Sequence, residues 1–371
     1  MAWPFHRRCR PGAIEAGAST GRGIMSARTQ YVGLDWGTSA LRGYLFSQAG
    51  QVLAQRESPW GIMNLPEAAE SQAAPVQPIQ TSRPAGGAHE QRQMAFRATL
   101  WRFVGDWLQQ AGTVPDVVAC GMVGSAQGWC NVPYQPLPVD VRALAGAMAE
   151  VDAGQGVVVA IAPGLIEEGA LPNVLRGEET QIAGVPALLR SHALRGRWLL
   201  GLPGTHSKWV RIQDDGIRHF DTFMTGEIFG ALVQHTILGR TMQLPGSAAA
   251  QDGVSPAFLA GVRNAASDEG RAGLLSTAFS CRTLGLTGQL DAAEQHDYLS
   301  GLLIGHEIAG LLARLPDAWQ QASMALVGRE ALCHRYRAAL RHHGRDALLL
   351  SEDAVVHGLW ALIRHRHPNT D

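Results

Sequence analysis

The chain has no apolar run near the roughly 18 residues needed to cross a bilayer. Its cleanest apolar stretches, such as 157–162, are strand-sized, so a soluble protein is expected. Cysteine is scarce. Cys9, Cys120, Cys130, Cys281 and Cys333 are odd in number and form no C-x-x-C pair, which argues against a disulfide framework and for reduced thiols in the cytoplasm. Neither sign of charge is in excess: 31 Lys+Arg face 32 Asp+Glu, a net charge of −1. That balance leaves no electrostatic footprint for nucleic acid or an anionic membrane, and small molecules become the expected partners, with a homodimer left open. The first thirty residues lack a continuous apolar stretch, so a secretory signal is not indicated. Their Gly, Ala, Ser and Arg content suggests a disordered extension over 1–28, with Met25 as a candidate start and a transit peptide as the competing reading.

What is present is a loop-rich globular chain of 371 residues, 46% hydrophobic and 17% charged, with 43 Gly and 19 Pro. That length suggests two domains. Apolar, β-prone runs at 31–34, 41–46, 51–55, 117–120 and 157–161 predict strands, with a helical pattern around 94–110. Residues 71–93 lack periodicity and read as an exposed loop or helix with a mobile tip. A second strand run follows at 198–202, 209–212 and 217–221, then helices around 226–239, 256–263 and 298–315. A strand at 324–327, a helix at 331–340, a strand at 347–350 and a closing helix at 354–363 complete the pattern. Each half opens with strand, Gly-Thr turn, strand. This points to a duplicated fold, with lobes at 29–193 and 194–371.

The most telling stretch is 31–46, where Asp35, Gly37, Thr38 and Ser39 lie between two apolar strands. Gly37 lets backbone N–H groups approach an anion, and Thr38 and Ser39 add hydroxyl donors. Asp35 repels phosphate, so its expected task is to hold Mg²⁺ while the turn holds phosphate oxygens. The same stretch also suits an ordinary hairpin with a polar turn.

Five motifs in order carry a family resemblance: Asp35-Trp36-Gly37-Thr38-Ser39 with Arg42; Gly121-Met122-Val123-Gly124-Ser125 with Trp129 and Tyr134; Arg176-Gly177-Glu178-Glu179; Pro203-Gly204-Thr205-His206-Ser207-Lys208; and Met224-Thr225-Gly226-Glu227. From about residue 30 onward the chain resembles the 2-dehydro-3-deoxygalactonokinase family of the actin-like sugar-kinase superfamily. The resemblance implies an α/β, two-lobed, RNase H-like duplicated fold with its active site in the interdomain cleft. It also implies ATP- and Mg²⁺-dependent phosphorylation of 2-dehydro-3-deoxy-D-galactonate at its 6-hydroxyl, a step of galactonate catabolism.

Under that resemblance Asp35 faces Mg²⁺, and Gly37, Thr38 and Ser39 form the first phosphate loop. Gly204, Thr205 and His206 form the second, with Lys208 adding charge, and Gly328 marks the adenine turn. Glu178 and Glu179 are the leading candidate bases, although one of the two also suits stabilising the helix N-terminus; Glu227 is a third candidate, with helix capping its stronger reading. Arg42 is assigned to phosphates or substrate. Trp60, Asn64, Ser125, Trp129 and Tyr134 form the expected polar and aromatic pocket, with Arg176 for the substrate carboxylate. Core packing explains Trp60 and Trp129 equally well. Two other readings stay open: a kinase of another sugar or sugar acid, and a non-enzymatic actin-like assembly or sugar-sensing protein.

Overall fold

A computed structural model describes residues 30–66, 87–110, 115–189, 195–243 and 253–366. The predicted extension at 1–28, the candidate start Met25 and most of the 71–93 segment lie outside them. The chain divides into two compact units, one of residues 20–190 with 353–371 and the other centred on 191–352.

In the first unit, β1 (Tyr31–Trp36), β2 (Leu41–Phe46) and β3 (Val52–Ser58) form an antiparallel meander. Helix α1 (Gly87–Gln110) follows, starting earlier than the apolar pattern suggests because its first two turns are polar and exposed. Strand β4 (Asp116–Cys120) then pairs parallel to β1. A small sheet of β5 (Gln135–Pro136), β8 (Leu165–Glu167) and β9 (Asn173–Leu175) surrounds α2 (Val141–Gly146), β6 (Ala149–Gly154) and β7 (Val157–Ile161) in sequence. The main sheet runs β3-β2-β1-β4-β7-β6, and α3 (Glu178–Leu188) closes the contiguous part. Strand β1 is buried at every position but Asp35, the pattern of a central strand covered on both faces. One face packs on Phe96, Leu100, Phe103 and Trp107 of α1.

In the second unit, β10 (Arg197–Leu202), β11 (Ser207–Gln213) and β12 (Gly216–Phe223) form another antiparallel meander. Helices α4 (Thr225–His235), α5 (Pro256–Ala266), α6 (Leu274–Thr277), α7 (Ser280–Leu286) and α8 (Glu294–Arg314) follow. Then β13 (Ser323–Val327), α9 (Glu330–His342) and β14 (Leu348–Leu350) complete a sheet ordered β12-β11-β10-β13-β14. Strand β13 pairs parallel to β10, and β14 parallel to β13. The order and directions repeat those of β3-β2-β1-β4-β7, so the expected duplication of an α/β unit is present.

The closing helix α10 (Ala354–Arg366) departs from the expected division at 193/194, because it belongs to the first unit. Two glycines explain its seat. A Cβ on Gly184 of α3 would lie 1.9 Å from the Ala354 carbonyl oxygen, and one on Gly358 would lie 1.7 Å from that of Thr180. Leu359 meanwhile fills the space beside Gly33 of β1. Among the described residues, no helix is long and apolar enough to cross a membrane.

Candidate active site

The β1–β2 hairpin ends in an open turn. Gly37 N–H donates to the Ala40 carbonyl at 3.0 Å, while Ile62 and Met63 N–H groups donate to the Gly37 and Thr38 carbonyls at 3.0 and 3.1 Å. The loop carrying Ile62 crosses the turn at Gly61, where a Cβ would lie 2.3 Å from the Thr38 oxygen. Backbone carbonyls are thereby satisfied from one side, and the Thr38 and Ser39 side chains face solvent. Asp35, part-buried beside them, lies 3.4 Å from Arg42 Nη1, and Arg42 Nε donates to Glu57 at 3.1 Å. Burial raises the Asp35 pKa above its ordinary value, and the Arg42 guanidinium opposes that shift.

Strand β4 leads to Gly121, whose φ of +92° carries the chain past Asp35; a Cβ there would lie 2.9 Å from the Trp36 oxygen and 3.5 Å from Asp35 Oδ1. Gly177, at φ +105°, approaches from the other direction, its Cβ position 3.5 Å from the Gly121 Cα. Two left-handed glycines therefore bring the Arg176-Gly177-Glu178-Glu179 turn to the carboxylate of β1.

Arg176 has an unfinished environment. Its Nη2 donates to the Val132 carbonyl at 2.8 Å, and its guanidinium lies 4.5 Å from the Tyr134 ring centroid. Its Nε and Nη1 are buried without a hydrogen-bond partner. A buried cationic donor left this way is unfavourable unless water or an anion completes it. At the helix start, Glu178 is half-buried and accepts from Arg176 N–H at 3.0 Å. Glu179 is fully buried, accepting from Gly177 N–H at 2.5 Å and the Thr180 hydroxyl at 3.0 Å. Burial, reinforced by Glu178, pushes the Glu179 pKa up to about 7.

In the second unit, the Pro203-Gly204-Thr205-His206 turn rests on the start of α4. Glu227 N–H donates to the Thr205 carbonyl at 3.0 Å, and a Cβ on Gly226 would lie 2.5 Å from the Gly204 oxygen. A pocket with a cavity volume of about 40 Å³ opens beside this turn. Gly204, Thr205, Thr225 and Gly226 form its polar lip; Phe229, Leu303, Ile304 and Leu332 form an apolar wall, with Arg329 and Tyr336 at its edge. Gly328, at φ +145°, turns β13 into α9 beside the Pro203 carbonyl. An apolar wall with a glycine-rich lip at a helix start suits a nucleotide.

A family model described as 2-keto-3-deoxy-galactonokinase matches residues 35–362. The chain belongs to the 2-keto-3-deoxy-galactonokinase family. It is 33% identical over 350 residues to a Rhizobium meliloti (strain 1021) protein named probable 2-dehydro-3-deoxygalactonokinase, covering 92% of this chain and 98% of that one. It is 30% identical over 346 residues to the Escherichia coli (strain K12) 2-dehydro-3-deoxygalactonokinase, covering 93% and 100%. A crystal structure of a Sinorhizobium meliloti protein aligns with a TM-score of 0.72 at 32% identity, covering 91% of this chain and 99% of that one.

Several expected site residues of this 2-keto-3-deoxy-galactonokinase family member have other occupations. Trp129 is 2% exposed and stacks on Phe96 at 5.9 Å with Trp36 edge-on, so it is core rather than pocket wall. The Trp60 ring packs on Phe103 and Arg102, and its carbonyl accepts from the Trp36 indole at 2.9 Å. Ser125 Oγ donates to the Met122 carbonyl at 2.7 Å, closing a local turn. Asn64 is exposed and ends the loop that crosses the hairpin. Lys208 is 4% exposed, and its Nζ donates to the His206 carbonyl at 3.2 Å, which braces the turn from inside. His206 pairs with Glu227 at 2.5 Å, so each explains the other.

Sequence reading missed Glu307. It is 3% exposed within apolar α8 and accepts from the Trp209 indole and the Tyr336 hydroxyl, both at 2.7 Å, and from the Thr225 hydroxyl. An acidic residue between His306 and Ile308 in a largely apolar helix was the only trace it left.

Proposed function

We infer that this protein phosphorylates 2-dehydro-3-deoxy-D-galactonate at its 6-hydroxyl with ATP, giving 2-dehydro-3-deoxy-6-phospho-D-galactonate and ADP in galactonate catabolism. The observation that carries the assignment of roles is Arg176, a guanidinium with two buried, unpartnered nitrogens two residues before a half-buried carboxylate. An acceptor that is an anion at one end and an alcohol at the other suits that pair. Arg176 binds the substrate carboxylate through Nε and Nη1, and the 38%-exposed Tyr134 covers the carbon chain beside it. Glu178 accepts the proton of the 6-hydroxyl as its oxygen bonds to the γ-phosphorus and ADP leaves. Geometry selects Glu178 over Glu179. Glu179 has no exposed surface, and its two oxygens fix the Gly177 turn that aims Arg176 and Glu178.

Gly204, Thr205, Thr225 and Gly226 hold the ATP phosphates, and the apolar wall of the same pocket takes the base. Asp35 fits Mg²⁺: it is a part-buried carboxylate beside two open hydroxyls, and Mg²⁺ ordinarily takes only one or two carboxylates, its remaining ligands being phosphates and water. When bound, the ion neutralises charge on the transferring phosphates. Release of ADP measured with and without the sugar acid tests the assignment. Release that depends on 2-dehydro-3-deoxy-D-galactonate supports it. Slow hydrolysis indifferent to the acid would instead favour an assembly or sensing protein, and a better rate with an epimeric acid would change the acceptor.

A further inference from the structure

Glu307 stands where a carboxylate is costly. Its neighbours on α8, Leu303, Ile304, Ile308 and Leu311, are all buried, and burial raises its pKa while bonds from Thr225, Tyr336, Trp209 and Ser207 oppose the rise. A buried ionic or polar hub of this kind is often replaceable by apolar residues without loss of stability. A carboxylate in such a place orients the groups that donate to it, so the identity of its partners is informative.

Two of its partners line the proposed nucleotide pocket, and the third lies in the strand that follows its turn. Thr225 is the first residue of α4 and lines the polar lip; Tyr336 of α9 lines the edge; Trp209 lies in β11, directly after the turn. Ser207, the first residue of β11, reaches the hub through a 2.8 Å hydrogen bond to the Tyr336 hydroxyl. One carboxylate thus ties the strand leaving the turn, the helix backing it and the helix facing it. We propose that Glu307 is a positioning residue that fixes the Gly204-Thr205 turn and the start of α4 in their ATP-binding geometry. The proposal rests on reading this pocket as the ATP site.

The test is steady-state kinetics of the full-length protein, with ATP and the sugar acid varied separately, on E307Q, Y336F, their double variant and G204V. Glutamine keeps the shape of the hub but turns one acceptor into a donor. E307Q is expected to raise the KM for ATP about tenfold, with the KM for the sugar acid within about twofold. Y336F is expected to move the same constant less, and the double variant no further than E307Q, as members of one network do. G204V probes the pocket itself, since a Cβ at Gly204 meets nothing within 4 Å and the fold can accept it. If G204V raises the KM for ATP while E307Q and Y336F only lower Tm, Glu307 is merely structural and the proposal falls. If G204V also leaves the KM for ATP unchanged, the pocket is not the ATP site and both readings fall. Should E307Q fail to fold, Y336F decides alone: an unchanged KM for ATP overturns the proposal.

Discussion

The two units repeat one strand order, yet the turns at the ends of their first strands differ in charge and in support. In the first unit Gly37-Thr38 follows Asp35-Trp36; in the second Gly204-Thr205 follows Leu202-Pro203. The adjacent parallel strand ends in a left-handed glycine both times, Gly121 at φ +92° and Gly328 at φ +145°. The first turn carries its acid at the lip, part-exposed and opposed by Arg42. Beneath the second the acid is sunk inside, as Glu307 under three side-chain donors. The scaffold supplies two glycine-threonine turns, and the residues flanking each decide whether it presents a carboxylate or an uncharged cradle.

The sharpest way to break this comparison exchanges the character of the two strand ends. D35A should cut kcat by roughly a thousandfold or more while leaving Tm and the circular dichroism spectrum nearly unchanged, because the acid serves charge at the lip and not packing. L202D should do the reverse: Leu202 is 5% exposed, and an unpaired charge there lowers stability by about 3 kcal/mol or more, seen as a large fall in Tm. Equal loss of stability in both variants would remove the distinction.

Next in size is the helix start of α3. E178Q should lower kcat by about a hundredfold or more, with both KM values little changed. E179Q should act more weakly and through both kcat and KM, since it loosens the turn instead of removing the base. Full activity in E178Q would dismiss it as the proton acceptor.

A smaller effect is expected from R176L, which should raise the KM for the sugar acid roughly 10- to 100-fold and leave the KM for ATP alone. Matching rises in both constants would mean that Arg176 holds the fold and not the acceptor.

The gentlest test concerns pH. With its pKa raised from 4.5 to about 7, Glu179 keeps its proton in the folded state where the unfolded chain has lost it. The folded state binds more protons across that window, so this group's contribution to stability is present below it and is lost as pH rises through it. Thermal melts of wild type and E179Q should therefore diverge, wild type losing Tm relative to the variant between about pH 5 and pH 8. A constant difference across that range would show that Glu179 does not titrate there.

Much of the first hairpin was legible because its signals are local. Two apolar, β-prone runs, a Gly-Thr turn and a carboxylate at a strand end are written within sixteen consecutive positions, and the structure places β1, β2 and their turn there. The same holds for β10, β11 and α4. What sequence reading misplaced depends on partners far along the chain. Trp129 has the composition of a sugar-stacking residue, but Phe96 and Trp36, distant in sequence, enclose it. Lys208 reads as a phosphate ligand, yet both faces of β11 are covered at its start and the side chain is buried. Short helices α6 and α7 left too brief a period to detect.

By itself the sequence determined the two strand-turn-strand openings, the family, and the residue types that phosphoryl transfer to a sugar acid needs, because turn chemistry and motif order are properties of neighbouring residues. Only the tertiary structure decided that the last helix returns to the first unit, that Arg176 keeps two buried donors unspent, that Glu179 is enclosed while Glu178 is not, and that Glu307 gathers three elements around one carboxylate. Burial and hydrogen-bond completion depend on which distant segments pack together, and no local pattern encodes that.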